Sequence, residues 1–305
     1  MKAKPQSKLL FVINPVSGGS DKIRIENQIH QYFEQLPVQI KLINLSGKQD
    51  DIFIKKNISL FQPDKVIAVG GDGTIKLIAG QLIGTKIPLG IIPAGSANGM
   101  ALELNLPFSI SKALDIVVNG IIKKIDLILF NDKEISVHIS DLGLNAFLIK
   151  YYSMNRLRGK WGYAKAVINV LWQRRLLHAE ILINGKTMFR KAWMIALANA
   201  RSYGTGVMIN PAGNLSDGKF EIVILKKVSV WKLLKRIFTN CPFDADEIEL
   251  IQTNEVIITT ARKVYFQIDG EYRGKVNTIK AVILPAALDL LLPAPPAYLT
   301  SSKNM

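Results

Sequence analysis

Through residue 125 the chain alternates short, near-continuous apolar runs with longer amphipathic stretches. The runs at 9–13, 38–43, 65–69 and 88–92 predict strands, and the segments at 21–36, 50–60, 74–83, 97–104 and 110–118 predict helices. Strands apolar on both faces, each followed by a helix, form a parallel sheet with helices on both faces. Beyond 125 the pattern becomes β-rich, with runs at 126–130, 135–149, 179–183, 192–198, 220–225, 255–260 and 264–268. Turn dipeptides such as Asn184-Gly185 and Asp217-Gly218 fall between these runs, so a mostly antiparallel β-sandwich is expected. Helical stretches at 161–177 and 230–238 interrupt it. The expected organisation is an α/β domain (parallel sheet, helices on both faces) over 1–125 and a mostly antiparallel sandwich over 126–280. A strand at 278–283 and the apolar tail 281–305 return to the first domain.

The length of 305 residues suffices for two such cores. Composition adds one unusual property, a net charge of +15 from 39 basic and 24 acidic residues. A basic surface of that size favours anionic partners: nucleic acid, phosphorylated small molecules or an acidic membrane face. The single cysteine, Cys241, excludes a disulfide within the chain and points to a reducing compartment. The histidines His30, His138 and His178 are scattered, without zinc spacing. The apolar run at 9–13 is too short for a signal peptide, and no segment approaches the roughly 20 apolar residues of a membrane span. A cytoplasmic protein, soluble or peripheral on the inner membrane face, is expected.

Three glycine-rich loops follow three of the strands. The first contains Asn14, Pro15, Ser17 and Gly18; the second is Gly70-Gly71-Asp72-Gly73-Thr74; the third runs from Ile92 to Gly99 and carries Ser96 and Asn98. Glycines leave backbone N–H groups uncovered and permit positive φ, so an anion can approach the main chain. A helix following the loop adds the positive end of its dipole. Asp72 is a carboxylate among small residues with no basic neighbour, suited to a nucleotide's magnesium; its structural alternative is a helix N-cap. Ser96 and Asn98 suit a phosphate or a metal-bound water, or a helix cap. In a parallel sheet all three loops lie at one edge, where ligands bind. Neither the Walker pattern nor G-x-G-x-x-G is present.

NPVSGG, VGGDGT and LGIIPAGSANGMA, in this order and spacing, resemble the diacylglycerol kinase catalytic domain shared by bacterial lipid kinases and sphingosine and ceramide kinases. The resemblance continues with NPAGNLSDGKF at 210–220 and Ile268-Asp269-Gly270-Glu271, five motifs over about 260 residues. It implies two domains with ATP in the cleft between them. Asn14 to Gly18, Gly70 to Thr74 and Ser96 would then contact ATP. Glu271 matches the residue proposed as general base in the bacterial enzymes, and Asp72 the residue given that task in sphingosine kinases. Asp126 matches a carboxylate of the magnesium network. Asp217, with the backbone oxygens of Asn214 and Lys219, matches a second, structural magnesium site of the bacterial lipid kinases. The acceptor would be a hydroxyl of diacylglycerol, a sphingoid base or a related lipid, deprotonated by a carboxylate as the phosphoryl group transfers.

Three positions depart from the family pattern: Lys76 and Leu77 stand where Asn-Glu is common, and Gly99 where an aspartate often follows. Arg158, Lys160 and Lys165, interleaved with Trp161 and Tyr163, suit an anionic lipid head or a membrane interface. The basic amphipathic stretch 231–238 suits shallow interfacial contact, and a solvated helix face accounts for either segment equally. No nucleic-acid-binding signature is present, so nucleic acid is not an expected partner. Expected partners are a lipid acceptor at a membrane surface and the anionic membrane itself, and a homodimer is left open. Two rival functions are an NAD kinase, which shares the glycine loop and two-domain plan, and a non-catalytic nucleotide- or lipid-binding regulator.

Overall fold

The computed structural model describes residues 7–18, 22–146, 149, 176–203, 208–226, 244 and 246–294. The chain forms two compact units, Met1–Ile125 with Ala287–Met305, and Asp126–Ala286.

The first unit contains β1 (Ser7–Ile13), α1 (Lys22–Phe33), β2 (Val38–Asn44), α2 (Asp50–Phe61), β3 (Lys65–Gly70), α3 (Asp72–Leu82), β4 (Leu89–Pro93), α4 (Gly99–Glu103) and α5 (Ile110–Asn119). Strands β2, β1, β3 and β4 pair in parallel in that order. The end of β14 (Glu271–Leu292) adds a further parallel strand beside β4, with Leu290 opposite Leu89. Alternation explains the helices on both faces. Leu9, Phe11 and Ile13 pack with Ile25, Ile29 and Phe33 of α1 and Leu114 and Val117 of α5. Leu10 and Val12, equally buried, turn to the opposite face. Helices α2 and α3 pack together, α2 against β1 and α3 against β3. Helix α4 is shorter than expected. Asn98 sits in the left-handed region at φ 53°, so regular helix begins only at Gly99.

The second unit is antiparallel and sandwich-like. It holds the end of β5 (Ile121–Phe130), then β6 (Glu134–Ser136), β7 (Ile139–Gly143), β8 (Leu177–Ile183), β9 (Lys186–Ala192), β10 (Met194–Ala198), β11 (Phe220–Leu225), β12 (Ile248–Thr253), β13 (Glu255–Ile268) and the first part of β14. The main path runs β12-β11-β10-β7-β13-β14, with β8 and β9 attached to β13 and β5 and β6 to β14. Its core gathers Phe130, Leu142, Ile181, Ile195, Leu197, Phe220, Ile222, Ile258, Phe266 and Ile279.

Several expected elements change. The single strand expected over 135–149 is two short strands followed by the start of a helix at 144. It breaks because the Asp269 carboxylate takes the N–H groups of Val137 and His138. The runs at 255–260 and 264–268 are one strand, with a register shift between Thr259 and Val264. Strands β9 and β12, with exposed alternate residues, were not expected. The helix expected over 161–177 lies outside the described residues except its last two, and Leu177 opens β8. The stretch 230–238 and the residues Arg158, Lys160, Lys165 and Cys241 also lie outside them. Among the described residues, no helix is long and apolar enough to cross a membrane.

Candidate functional site

Register brings the three loops of the first unit to one sheet edge. Ile13 pairs with Val69 and Gly70 with Pro93, so each chain leaves its strand at the same level. Backbone bonds continue the ladder into the loops, Asn14 N–H to Val69 O at 3.0 Å and Ala94 N–H to Gly70 O at 2.9 Å. Side chains then tie the loops together. Asn14 Nδ2 donates to Thr74 Oγ1 at 3.2 Å. The Ser17 hydroxyl lies 3.0 Å from Asn14 O and 3.1 Å from Ala94 O. A Cβ on Gly70 would meet Thr74 Oγ1 at 2.4 Å, so that glycine makes room for the buried threonine.

Glycine also decides how closely the loops approach. A Cβ on Gly95 would lie 2.3 Å from Gly71 Cα, and one on Gly18 would lie 2.4 Å from Ala94 O. Gly18 additionally has φ +65°. The second loop thus rests against the third, and the first against the third, with main chain touching main chain. Pro15, Gly73 and Ser96 remain exposed on this platform.

Asp72 has a role that local sequence does not reveal. The N-cap of α3 is Gly71, without a side-chain cap bond, and Asp72 is the first helical residue. Its two oxygens instead accept the N–H groups of Gly99 and Met100, each at 2.9 Å, at the start of α4. A carboxylate there satisfies two orphan donors. Asn98 does not cap α4 with its side chain. Its amide closes the third loop on itself, accepting Gly95 N–H at 2.8 Å and donating to Gly95 O at 2.9 Å.

Lys22, which the motifs did not point to, belongs to this cluster. Its Nζ donates to Ala94 O at 3.0 Å while the residue is buried, and burial lowers its pKa from the ordinary lysine value. A lysine just past a glycine loop is a weak signal in sequence. Lys76 is also buried, on the inner side of α3.

In the second unit Asp126 is buried and holds the 210–219 loop. Its oxygens accept Gly218 N–H and Ala286 N–H, each at 2.7 Å, and its own N–H donates to Leu215 O at 2.7 Å. Asp217 is exposed, and its carboxylate accepts from Lys219 N–H at 3.1 Å and Gln252 Nε2 at 3.2 Å. Asn214 Oδ1 accepts Ser216 N–H at 3.2 Å, a local turn. Asn214, Asp217 and Lys219 therefore share one short loop clipped to Asp126. Among the described residues no group of three or more His, Cys, Asp or Glu is placed to hold a metal ion. Any magnesium here would draw on main-chain oxygens and water beside one carboxylate, which suits its chemistry.

The Asp269-Gly270 pair forms a two-residue turn with both φ positive, 50° and 84°, and pairs Ile268 with Glu271. The Asp269 carboxylate accepts from Ser136 Oγ at 2.7 Å and from Val137 and His138 N–H at 3.0 Å. Asp269 is thus committed to the fold, while Glu271 stays about half exposed. Arg273, two residues on and on the same side of β14, contacts Glu271 Oε2 at 2.5 Å. Its Nε also meets both oxygens of Glu134 at 2.8 Å. The hydrogen bond to Glu134, then that to Glu271, raises the guanidinium's pKa above its ordinary value.

Comparison with known proteins matches both parts of the chain to described domain families. Residues 8–130 match the diacylglycerol kinase catalytic domain, and residues 142–292 the YegS C-terminal NAD kinase beta sandwich-like domain. Two such units define a kinase, an enzyme of the phosphotransferase class. Among similar proteins, a diacylglycerol kinase of Mycobacterium tuberculosis (strain ATCC 25618 / H37Rv) is 34% identical, covering 75% of this chain and 77% of that protein. A diacylglycerol kinase of Bacillus subtilis (strain 168) is 28% identical over 87% of this chain and 89% of its own length. A crystal structure of a diacylglycerol kinase from Bacillus anthracis str. Sterne shares the fold, with a TM-score of 0.73 at 17% identity, covering 96% of this chain and 99% of that one. The chain belongs to the diacylglycerol kinase catalytic-domain family.

Proposed function

We propose that this protein is an ATP- and magnesium-dependent lipid kinase that transfers the γ-phosphoryl group to a hydroxyl of diacylglycerol, a sphingoid base or a related lipid. The observation that carries the reading is the interlocked platform of three loops at one sheet edge, with Gly73 and Ser96 exposed upon it. Phosphoryl transfer needs alignment and charge neutralisation more than covalent help, and such a platform supplies main-chain donors in fixed positions. The names of the relatives favour diacylglycerol as first acceptor to test. In this reading Asn14, Ser17, Gly18, Gly70 to Thr74 and Ser96 hold ATP. Asp72, with one N–H already on each oxygen, orders α4 and the metal's water shell. Glu271 accepts the proton of the acceptor hydroxyl, because it is the more accessible carboxylate. Asp217 with Asn214 and the Lys219 carbonyl suits the structural magnesium. The net charge of +15 supports work at an anionic membrane surface, where the lipid acceptor is presented.

The test is transfer from γ-labelled ATP, with magnesium, into diacylglycerol, sphingoid bases and a whole-lipid extract in mixed micelles, with NAD as a parallel acceptor. Labelled lipid that disappears in Glu271→Gln supports the reading. Label in NAD alone makes the protein an NAD kinase. Tight ATP binding without turnover on any acceptor makes it a regulator.

A further inference from the structure

The turn that presents Glu271 is held from beneath by a buried polar network. Asp141 on β7 and Gln267 on β13 are directly opposed in the strand register. Their neighbours Leu142, Phe266 and Ile268 point into the apolar core, so this pair lies on the opposite face of the sheet. Both residues are completely buried. Gln267 Nε2 donates to Asp141 Oδ2 at 2.5 Å, and Gln267 Oε1 accepts the Gly270 N–H at 2.6 Å. The same Asp141 oxygen accepts from Asn145 Nδ2 at 2.6 Å and from the Tyr203 hydroxyl at 3.0 Å, and its other oxygen from Ala146 N–H at 2.9 Å.

The polarity of this arrangement matters. An ionised carboxylate only accepts, so it draws the NH₂ end of the Gln267 amide and turns the carbonyl end toward the turn. The turn needs an acceptor there because Gly270, at φ +84°, aims its N–H inward. Asp269 fastens the other corner through Ser136, Val137 and His138. A fully buried carboxylate is costly, and a well-packed apolar pair would give comparable or greater stability. The network's distinctive effect is therefore orientation.

We infer that Asp141 and Gln267 are positioning residues for Glu271: the Asp141 carboxylate fixes the Gln267 amide, and the amide fixes the turn from which the Glu271 side chain leaves the sheet. The inference rests on the reading of Glu271 as proton acceptor and adds two residues, 130 and 4 positions away in sequence, that no catalytic motif contains.

Asp141→Asn and Gln267→Ala test it beside wild type and Glu271→Gln. Lipid phosphorylation, ATP affinity, thermal melting and hydrogen exchange at the Gly270 amide are measured on each. In both variants kcat is expected to fall at least tenfold with ATP affinity within twofold, and Gly270 exchange to accelerate at least tenfold. Asp141→Asn leaves a buried donor facing an NH₂ group and is expected to melt lower. The kcat and ATP affinity are therefore compared below the melting transition, where a kcat loss at unchanged ATP affinity separates lost orientation from lost stability. Should Asp141→Asn not fold, Gln267→Ala carries the same kcat and exchange expectations. Wild-type kcat in either variant overturns the inference, as does a kcat loss that parallels a loss of ATP affinity. If Glu271→Gln is itself fully active, the reading of Glu271 fails, and the inference with it. Gly270 exchange then still reports whether the clasp holds the turn.

Discussion

Gly95→Ala is the sharpest test of the loop platform. The added Cβ would sit 2.3 Å from Gly71 Cα, 2.9 Å from Gly71 N and 2.8 Å from Asn98 Oδ1, where ordinary contact begins at 3.4 Å. Two of the three obstructing atoms are main chain, so no rotamer change relieves the clash and the second and third loops must part by about 1 Å. Overpacking of this kind costs about 1–3 kcal/mol. Donors set for bonds near 2.9 Å and displaced by about 1 Å fall outside hydrogen-bond range. ATP affinity should drop at least about tenfold, or about 1.4 kcal/mol. The assay is urea unfolding together with titration of ATP against intrinsic fluorescence. Gly185→Ala is the control: its Cβ meets nothing within 4 Å, but φ +74° makes alanine cost about 1 kcal/mol. That variant should lose stability and keep its ATP affinity. Unchanged ATP affinity in Gly95→Ala, alongside a measurable stability loss, would refute the assignment of these loops to the nucleotide.

Asp126→Asn should destabilise the protein by about 2 kcal/mol, because an amide can accept at only one end and leaves Gly218 N–H or Ala286 N–H facing an NH₂ group; a urea midpoint equal to wild type would contradict this. Lys22→Met should weaken ATP binding about tenfold and loosen the first loop from Ala94, while Lys22→Arg restores part of it, as calorimetry would show. Burial lifts the Asp141 carboxyl from 3.8 to about 6, against hydrogen bonds from Asn145, Gln267, Tyr203 and the Ala146 N–H that pull it down. The folded state therefore keeps a proton that the unfolded chain loses between about pH 4 and 6. This group's contribution to stability falls as pH rises through that window, by about 3 kcal/mol in all, and levels off above it. Urea midpoints from pH 4 to 7 should show this component in wild type and not in Asp141→Asn.

Much of the architecture is legible without coordinates. The apolar runs at 9–13, 65–69 and 88–92 are β1, β3 and β4 within two residues at either end, because strands buried on both faces announce themselves by composition. Strands β9 and β12 are not legible because Thr187, Phe189 and Lys191, and Leu250 and Gln252, stand exposed at alternate positions and leave no continuous apolar run. The candidate site divides along the same line. Asn14, Asp72 and Asp269 stand in motifs whose spacing is visible, whereas the hydrogen bonds that tie them into the fold reach across the sequence. Asp72 meets Gly99 and Met100 across 27 and 28 positions, Asp126 meets Gly218 and Ala286 across 92 and 160, and Asp269 meets His138 across 131.

Side-chain periodicity and backbone permission act within a few residues, so they reveal the fully buried strands, the glycine turns and the carboxylates on offer, but not the half-exposed strands β9 and β12. What each carboxylate does follows from the fold. A carboxylate takes its role from the N–H groups that register and topology bring to it. Only the folded chain shows that Asp72 orders α4, that Asp269 ties down its turn, and that Glu271 stays about half exposed beside Arg273.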